Sequence, residues 1–260
     1  NLKKKTAHCP SFSLMTIVLI TGGAGSIAQA IANHFLSKQA RVVILLDIDE
    51  ERGEEATEAL EAKYGRFKAV FLKCDVMLDL EWVLKRIYRT FGSINILFNC
   101  AGILDETNRR KTIVINAAWL IDWTLKLWRF IRADKGGFGG TIMIVSSSHA
   151  FKVDPFLPTF QAANFGVLGF AKCLGHSYFY EHTGVRVLTL CPGWTKTGMG
   201  LAPETMPGQK MQNDFLEYLK TQTWQDADAV GKAAVEVFEH AESGTAWSIE
   251  GGRPIEKILL

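Results

Sequence analysis

An apolar run, TIVLIT (16–21), passes without a break into the glycine turn GGAGSIA (22–28), and this junction constrains the fold more than any other stretch. A short β-branched run of that kind is a strand buried on both faces. Glycines directly behind it allow a turn that side chains would crowd, and a helix opens where they end. A doubly buried strand needs parallel neighbours, and the chain supplies them. RVVILLD (41–47), FKAVFLKC (67–74), INILFN (94–99), TIMIVSS (141–147), GVRVLTLCPG (184–193) and GTAWSIE (244–250) are further runs of the same type. Helical patterning fills the gaps: from the glycine turn to about Lys38, then 49–64, 78–91, 111–133, 158–182, 210–220 and 226–240.

Strands alternating with helices specify βαβ units. The expected fold is α/β, a single Rossmann-type domain with a doubly wound parallel sheet of about seven strands and helices on both faces. It spans 15–260 behind an N-terminal tail of 1–14, and 260 residues suit one such domain. Lys3 to Lys5 followed by SFSLMTIVLI imitates a secretory signal, but cleavage there would remove the first strand. A start at Met15 is the alternative, since MTIVLITGG is an ordinary opening for this fold. A net charge of +2 gives no reason to expect nucleic acid or a membrane surface as partner. No apolar run nears the roughly 18 residues that span a bilayer. Five cysteines without a C-x-x-C pair fit reduced thiols and a cytoplasmic protein. His34, His176, His182 and His240 are scattered, so no metal site is expected.

The glycine turn places free N–H groups and the positive end of a helix where an anion, such as a pyrophosphate, can approach closely. Read as G-x-x-x-G-x-G, the turn keeps Gly22 but has Ser26 and Ala28 at the later glycines. The alanine is mild, and the serine can crowd a phosphate. Asp47 closes the second strand, where its carboxylate can accept both ribose hydroxyls of an adenosine and repel a 2′-phosphate. No Arg or Lys follows it directly, so NAD is favoured over NADP.

Further landmarks stand in order: C-D75-V76 after the third strand, N99-C-A101-G102 after the fourth, Asn116 in the next helix, and C-P192-G193-W-T-K-T197 after the sixth. Together with TGGAGSIA and Asp47, the chain resembles the short-chain dehydrogenase/reductase family. KGGFGGTIMIVSS and GTAWSIEGG resemble its insect-type alcohol dehydrogenase and NAD-dependent 15-hydroxyprostaglandin dehydrogenase branch. The resemblance implies that Gly22, Ser26 and Ile27 lie against the pyrophosphate of NAD, and that Asp75 and Val76 flank the adenine. Asn99, Ala101 and Gly102 would line the adenosine ribose side, and Pro192, Gly193 and Thr197 would hold the nicotinamide carboxamide. Homodimers built through the helices after strands four and five are also implied. The Trp119/Trp123 stripe and an apolar face around Val167, Leu168 and Phe170 fit that arrangement.

In the family a Ser, a Tyr and a Lys act together, with an Asn supporting a water relay to the Lys. Ser147 and Asn116 match the first and last. Thirteen residues after Ser147 stands Phe160 where the Tyr belongs, and four further on stands Asn164 where the Lys belongs. Both lie on one helix face. Phenylalanine has no proton to give, and general acid–base catalysis contributes about 10²–10⁴-fold. His149 is the best substitute proton carrier, because histidine ordinarily titrates near neutrality, but a loop histidine facing solvent is the expected placement. Lys152 and Lys172 lie off the Phe160–Asn164 face.

Two readings follow. One is an NAD-dependent oxidoreductase acting on an apolar secondary alcohol, carbonyl or lipid-like compound, with Ser147 binding the oxygen. The other is a non-catalytic relative that keeps the cleft for binding, and the residue chemistry favours it. Phe151, Phe156, Phe160, Trp194 and Met199 should border the cleft, under a lid formed by TGMGLAPETMPGQ (197–209). If the lost pair is the whole defect, restoring Tyr and Lys at 160 and 164 should create alcohol oxidation.

Overall fold

The computed structural model describes residues 15–199 and 205–259; the tail of 1–14 and part of the expected lid lie outside them. Seven parallel strands form the sheet: β1 (Ile17–Thr21), β2 (Val42–Asp47), β3 (Ala69–Lys73), β4 (Ile96–Asn99), β5 (Gly140–Val145), β6 (Val185–Pro192) and β7 (Ala246–Ile249). The expected count of about seven is met, and a two-residue antiparallel strand, β8 (Glu256–Lys257), adds an eighth at the edge beside β7. The order is β3-β2-β1-β4-β5-β6-β7-β8, so the direction of winding reverses between β1 and β4. Ligands of such sheets bind at the carboxyl ends of the strands flanking that reversal.

Helices α1 (Ser26–Ser37), α2 (Glu50–Tyr64) and α9 (Ala227–His240) cover one face of the sheet, with Phe35 wedged between Phe98 and Phe238. Helices α3 (Leu80–Phe91), α5 (Leu120–Ile131) and α6 (Pro158–Leu174) cover the other, centred on Trp123 and Leu127. Strands β1 and β6 are buried from end to end, which is why they are mostly apolar, and buried Arg186 in β6 is satisfied by the Phe238 and Ala241 carbonyls and Thr141 Oγ1. Among the described residues no helix is long and apolar enough to cross a membrane.

Two expected helices differ in detail. The 111–133 segment is α4 (Arg109–Ile113), a π-helical turn at Val114–Trp119 and then α5. The 158–182 segment ends at Leu174 and restarts as α7 (Ser177–Thr183): His176 leaves the helix with ψ 146°, and its ring Nδ1 caps the new helix by accepting from the Tyr178 amide at 3.2 Å. Gly175 packs against the backbone of Gly244, where a Cβ would sit 2.5 Å from the Gly244 nitrogen. The face of α6 around Val167 and Leu168 is core, with the two residues 1% and 2% exposed, so they offer no contact surface. The open face of α6 carries Ala162, Phe165, Gly166, Gly169 and Cys173 instead. Helix α8 (Gln209–Lys220) lies over the cleft side, packing Phe215 and Leu219 with Leu157 and Met206.

Candidate active site

At the carboxyl ends of β1, β2 and β4 a cavity of about 290 Å³ opens, lined by the glycine turn, Asp47, Ala101, Gly102 and Thr197. Gly22 has φ +69°, and a Cβ on it would meet Ala101 at 2.9 Å, so the turn and the β4 loop touch backbone to backbone. Gly25 caps α1 with no side-chain acceptor, and Ser26 and Ile27 line the cavity just beyond it. The helix therefore presents its first N–H groups without a side-chain partner, as an anion site requires. Asp47 is held in place from both sides, Oδ2 accepting from the Ala24 amide at 3.0 Å and Oδ1 from the Asp49 amide at 3.1 Å.

Other expected cofactor residues lie around this cavity with different tasks. Asn99 points inward, its amide donating to Thr124 Oγ1 at 2.8 Å, so it ties β4 to α5 and does not line the cavity. Val76 borders a separate crevice with Ala101 and Trp123, and its carbonyl accepts from the Trp123 indole at 3.1 Å. Asp75 turns its carboxylate to the Met77 amide. Asp49 and Arg52 line the cavity as well. They were hidden in a charged helix start, and only the N-cap role of Asp49, which accepts from the Arg52 amide, signals that end of α2.

A second cleft of about 100 Å³ contains Ser147, His149, Phe160, Pro192, Gly193 and Trp194. It shares Ile27, Thr197 and Met199 with the first cavity, so the two are contiguous. Here the expectation of a solvent-facing His149 is overturned. The residue is 6% exposed, and its Nδ1 stands 2.9 Å from Ser147 Oγ. Its ring lies edge-on between Phe160, with centroids 5.7 Å apart, and Trp194, at 5.1 Å. The short 3₁₀ turn Ser148–Ala150, capped by Ser147, folds the loop back into the cleft.

Behind the imidazole stands Asp154, 7% exposed, its Oδ2 at 3.4 Å from His149 Nε2. Burial opposes its charge, yet hydrogen bonds from His149, Tyr218 and the Phe156 amide together hold the carboxyl below the usual range. In turn, burial and the Asp154 carboxylate push the Tyr218 hydroxyl upward. Gln161 clamps the backbone of Asp154, accepting from its amide at 3.0 Å and donating to its carbonyl. Asp154 and Gln161 escaped sequence reasoning; the sole hint was an Asp-Pro step in a loop.

Asn164 is buried and committed. Its Oδ1 accepts from Ser146 Oγ at 2.8 Å and its amide donates to the Phe160 carbonyl at 2.8 Å. Asn116, in the π turn, grips the Ile103 backbone, accepting from its amide at 2.8 Å and donating to its carbonyl at 2.7 Å. The amino end of α6 rests on buried Glu106, which accepts from the Thr159 and Phe160 amides at 3.2 and 2.8 Å. Of the expected apolar border, Phe160, Trp194 and Met199 line the cleft, joined by Leu104 and Leu157. Phe156 packs behind it against Phe215 and Tyr218, and Phe151 turns away to a cluster with Leu168 and Cys191. Lys152 is paired with Glu250 on the surface.

The profile of the short chain dehydrogenase family matches residues 16–206. Alcohol dehydrogenase 1 of Ceratitis cosyra is 28% identical over 232 residues, 88% of this chain and 90% of that protein. The NAD(+)-type 15-hydroxyprostaglandin dehydrogenase of Macaca fascicularis is 30% identical over 204 residues, 78% of this chain and 75% of that one. Among solved structures, levodione reductase superposes with a TM-score of 0.76 at 22% identity, covering 92% of this chain and 97% of its own. The strand order, the glycine turn and the family profile agree, and the chain belongs to the short-chain dehydrogenase family.

Proposed function

We propose that the protein is an NAD-dependent oxidoreductase of an apolar secondary alcohol or the matching carbonyl. The observation that carries this reading is the contiguity of the two cavities through Ile27, Thr197 and Met199. It sets the cavity of the glycine turn and Asp47 beside the cleft that holds Ser147. The residues present fit the adenosine and pyrophosphate half: uncapped amides at the start of α1, and the fixed Asp47 carboxylate for ribose hydroxyls. That carboxylate also favours NAD over a 2′-phosphorylated cofactor. When bound, NAD supplies the hydride acceptor. Leu104, Leu157, Phe160, Trp194 and Met199 exclude water and favour an apolar, lipid-like substrate, with Ser147 oriented to hold its oxygen.

A second reading, a non-catalytic binding relative, is supported by Asn164, a neutral residue at the family's lysine position whose side chain is spent on Ser146 and the Phe160 carbonyl. The placement of His149 beside Ser147 supports the oxidoreductase reading over the non-catalytic one that the residue chemistry alone favours. The open face of α6 supports a homodimer, and the free cysteines among the described residues support a reducing, cytoplasmic compartment.

The test is a titration with NADH, following energy transfer from tryptophan to the nicotinamide. Saturable binding in the micromolar range is expected. Absence of binding up to millimolar NADH refutes the reading, and binding without turnover of any apolar alcohol favours the second.

A further inference from the structure

The geometry points to His149 as the group that carries the substrate proton, with Ser147 as the relay to substrate and Asp154 as the residue that positions the imidazole. This rests on the oxidoreductase reading above. An ionised carboxylate only accepts hydrogen bonds, so a neutral His149 must donate to Asp154 through Nε2. Its Nδ1 then bears a lone pair, 2.9 Å from Ser147 Oγ, and the serine hydroxyl donates to it. The serine oxygen already accepts from the His149 amide at 3.2 Å, which fixes the direction of its O–H. That is the arrangement of a general base acting through a hydroxyl.

Phe160 takes a positive role in this arrangement. Its ring and that of Trp194 hold the imidazole edge-on in the cleft, where a group of that size has to be kept from swinging to solvent. The charged and titratable groups facing the imidazole are Asp154 and, behind it on α8, Tyr218. Lys152, three residues on, is turned to Glu250.

In alcohol oxidation the substrate O–H proton passes to Ser147 Oγ while the serine's own proton passes to His149 Nδ1. The carbinol C–H bond breaks, its two electrons leave with the hydride to oxidised nicotinamide dinucleotide, and the C=O bond forms. Asp154 balances the resulting imidazolium. Carbonyl reduction runs the same transfers backwards.

The test compares wild type with His149→Phe, His149→Gln and Asp154→Asn in the full-length protein. NADH affinity is measured by tryptophan energy transfer and turnover by NADH absorbance on a panel of apolar secondary alcohols. We expect NADH affinity within about twofold of wild type in all three. For both His149 variants kcat should fall about 10²–10⁴-fold, with KM moving far less and the limb of the pH–rate profile disappearing. Asp154→Asn should fall comparably, because an amide can donate to Nε2 and stabilise the wrong tautomer. Independently of activity, ¹⁵N spectra of histidine-labelled wild type should give the Nε2-protonated tautomer at His149. The Nδ1-protonated tautomer overturns the relay. So does an unchanged kcat in both His149 variants, or a wild type that binds NADH and oxidises nothing on the panel. Failure to bind NADH refutes the oxidoreductase reading itself, and the relay with it.

Discussion

Phe160 and Asn164 look like two deletions in the sequence, yet each has a partner in the structure. The phenyl ring packs on His149, and the asparagine amide joins Ser146 to the Phe160 carbonyl. A lysine at 164 would lose those two hydrogen bonds and bring a buried ammonium, which costs several kcal/mol unless something pairs with it. A tyrosine at 160 would gain a titratable hydroxyl close to the Ser147 cleft. The two changes therefore belong together, and they offer a separate proton carrier. Phe160→Tyr combined with Asn164→Lys should oxidise apolar alcohols with NAD. In that background His149→Phe should reduce kcat less than tenfold, against the 10²–10⁴-fold loss expected in the native site. Steady-state rates for the four proteins check this. An equal loss in both backgrounds would mean that His149 serves the fold and not the proton.

Helix α6 carries Phe160 and Asn164, so whatever fixes its amino end also fixes the cleft. That task falls to Glu106 in the β4–α4 connection, whose carboxylate accepts from two free amides of the first turn. A negative charge at this position also complements the helix dipole. Glu106→Ala should lower stability by about 1–2 kcal/mol, in the range of a lost N-cap. The check is a urea unfolding midpoint that drops at unchanged slope, with Glu106→Gln intermediate. The strands and the glycine turn were legible in the sequence because they obey local rules: doubly buried strands are apolar runs, and a backbone contact such as Gly22 on Ala101 admits no side chain. Asp47 was legible for the same reason, as the polar end of an apolar run. Glu106, Asp154 and Gln161 were not, because their roles depend on partners brought together by loops of irregular geometry. The inward turn of His149 was missed on similar grounds: a loop residue carries no periodicity to say which way it faces. The packing of Gly175 on Gly244 involves a residue far along the chain, and no reading of 158–182 alone reveals it.

Across the whole molecule, the response to acid should be set largely from within the cleft. Asp79, Asp105, Asp134 and Asp228 are also held below the ordinary carboxylate range, chiefly by hydrogen bonds from Trp82, Thr107, Arg132 and Lys232. Water and salt screen surface pairs of this kind, and they contribute little. Asp154 differs because it is buried and has three donors around it. A carboxyl whose pKa is lower in the folded protein binds fewer protons there than in the unfolded chain. Its stabilisation is complete above the unfolded value of about 3.9 and is lost as pH falls through the folded value. Urea unfolding of wild type should therefore weaken as pH drops below about 4, and Asp154→Asn should weaken less over the same interval. The variant starts from a lower stability at pH 7, so the two curves should converge in acid. Parallel curves from pH 7 down to pH 3 would show that Asp154 is not held ionised by the fold. The orientation of His149 that depends on its charge would then lose its basis.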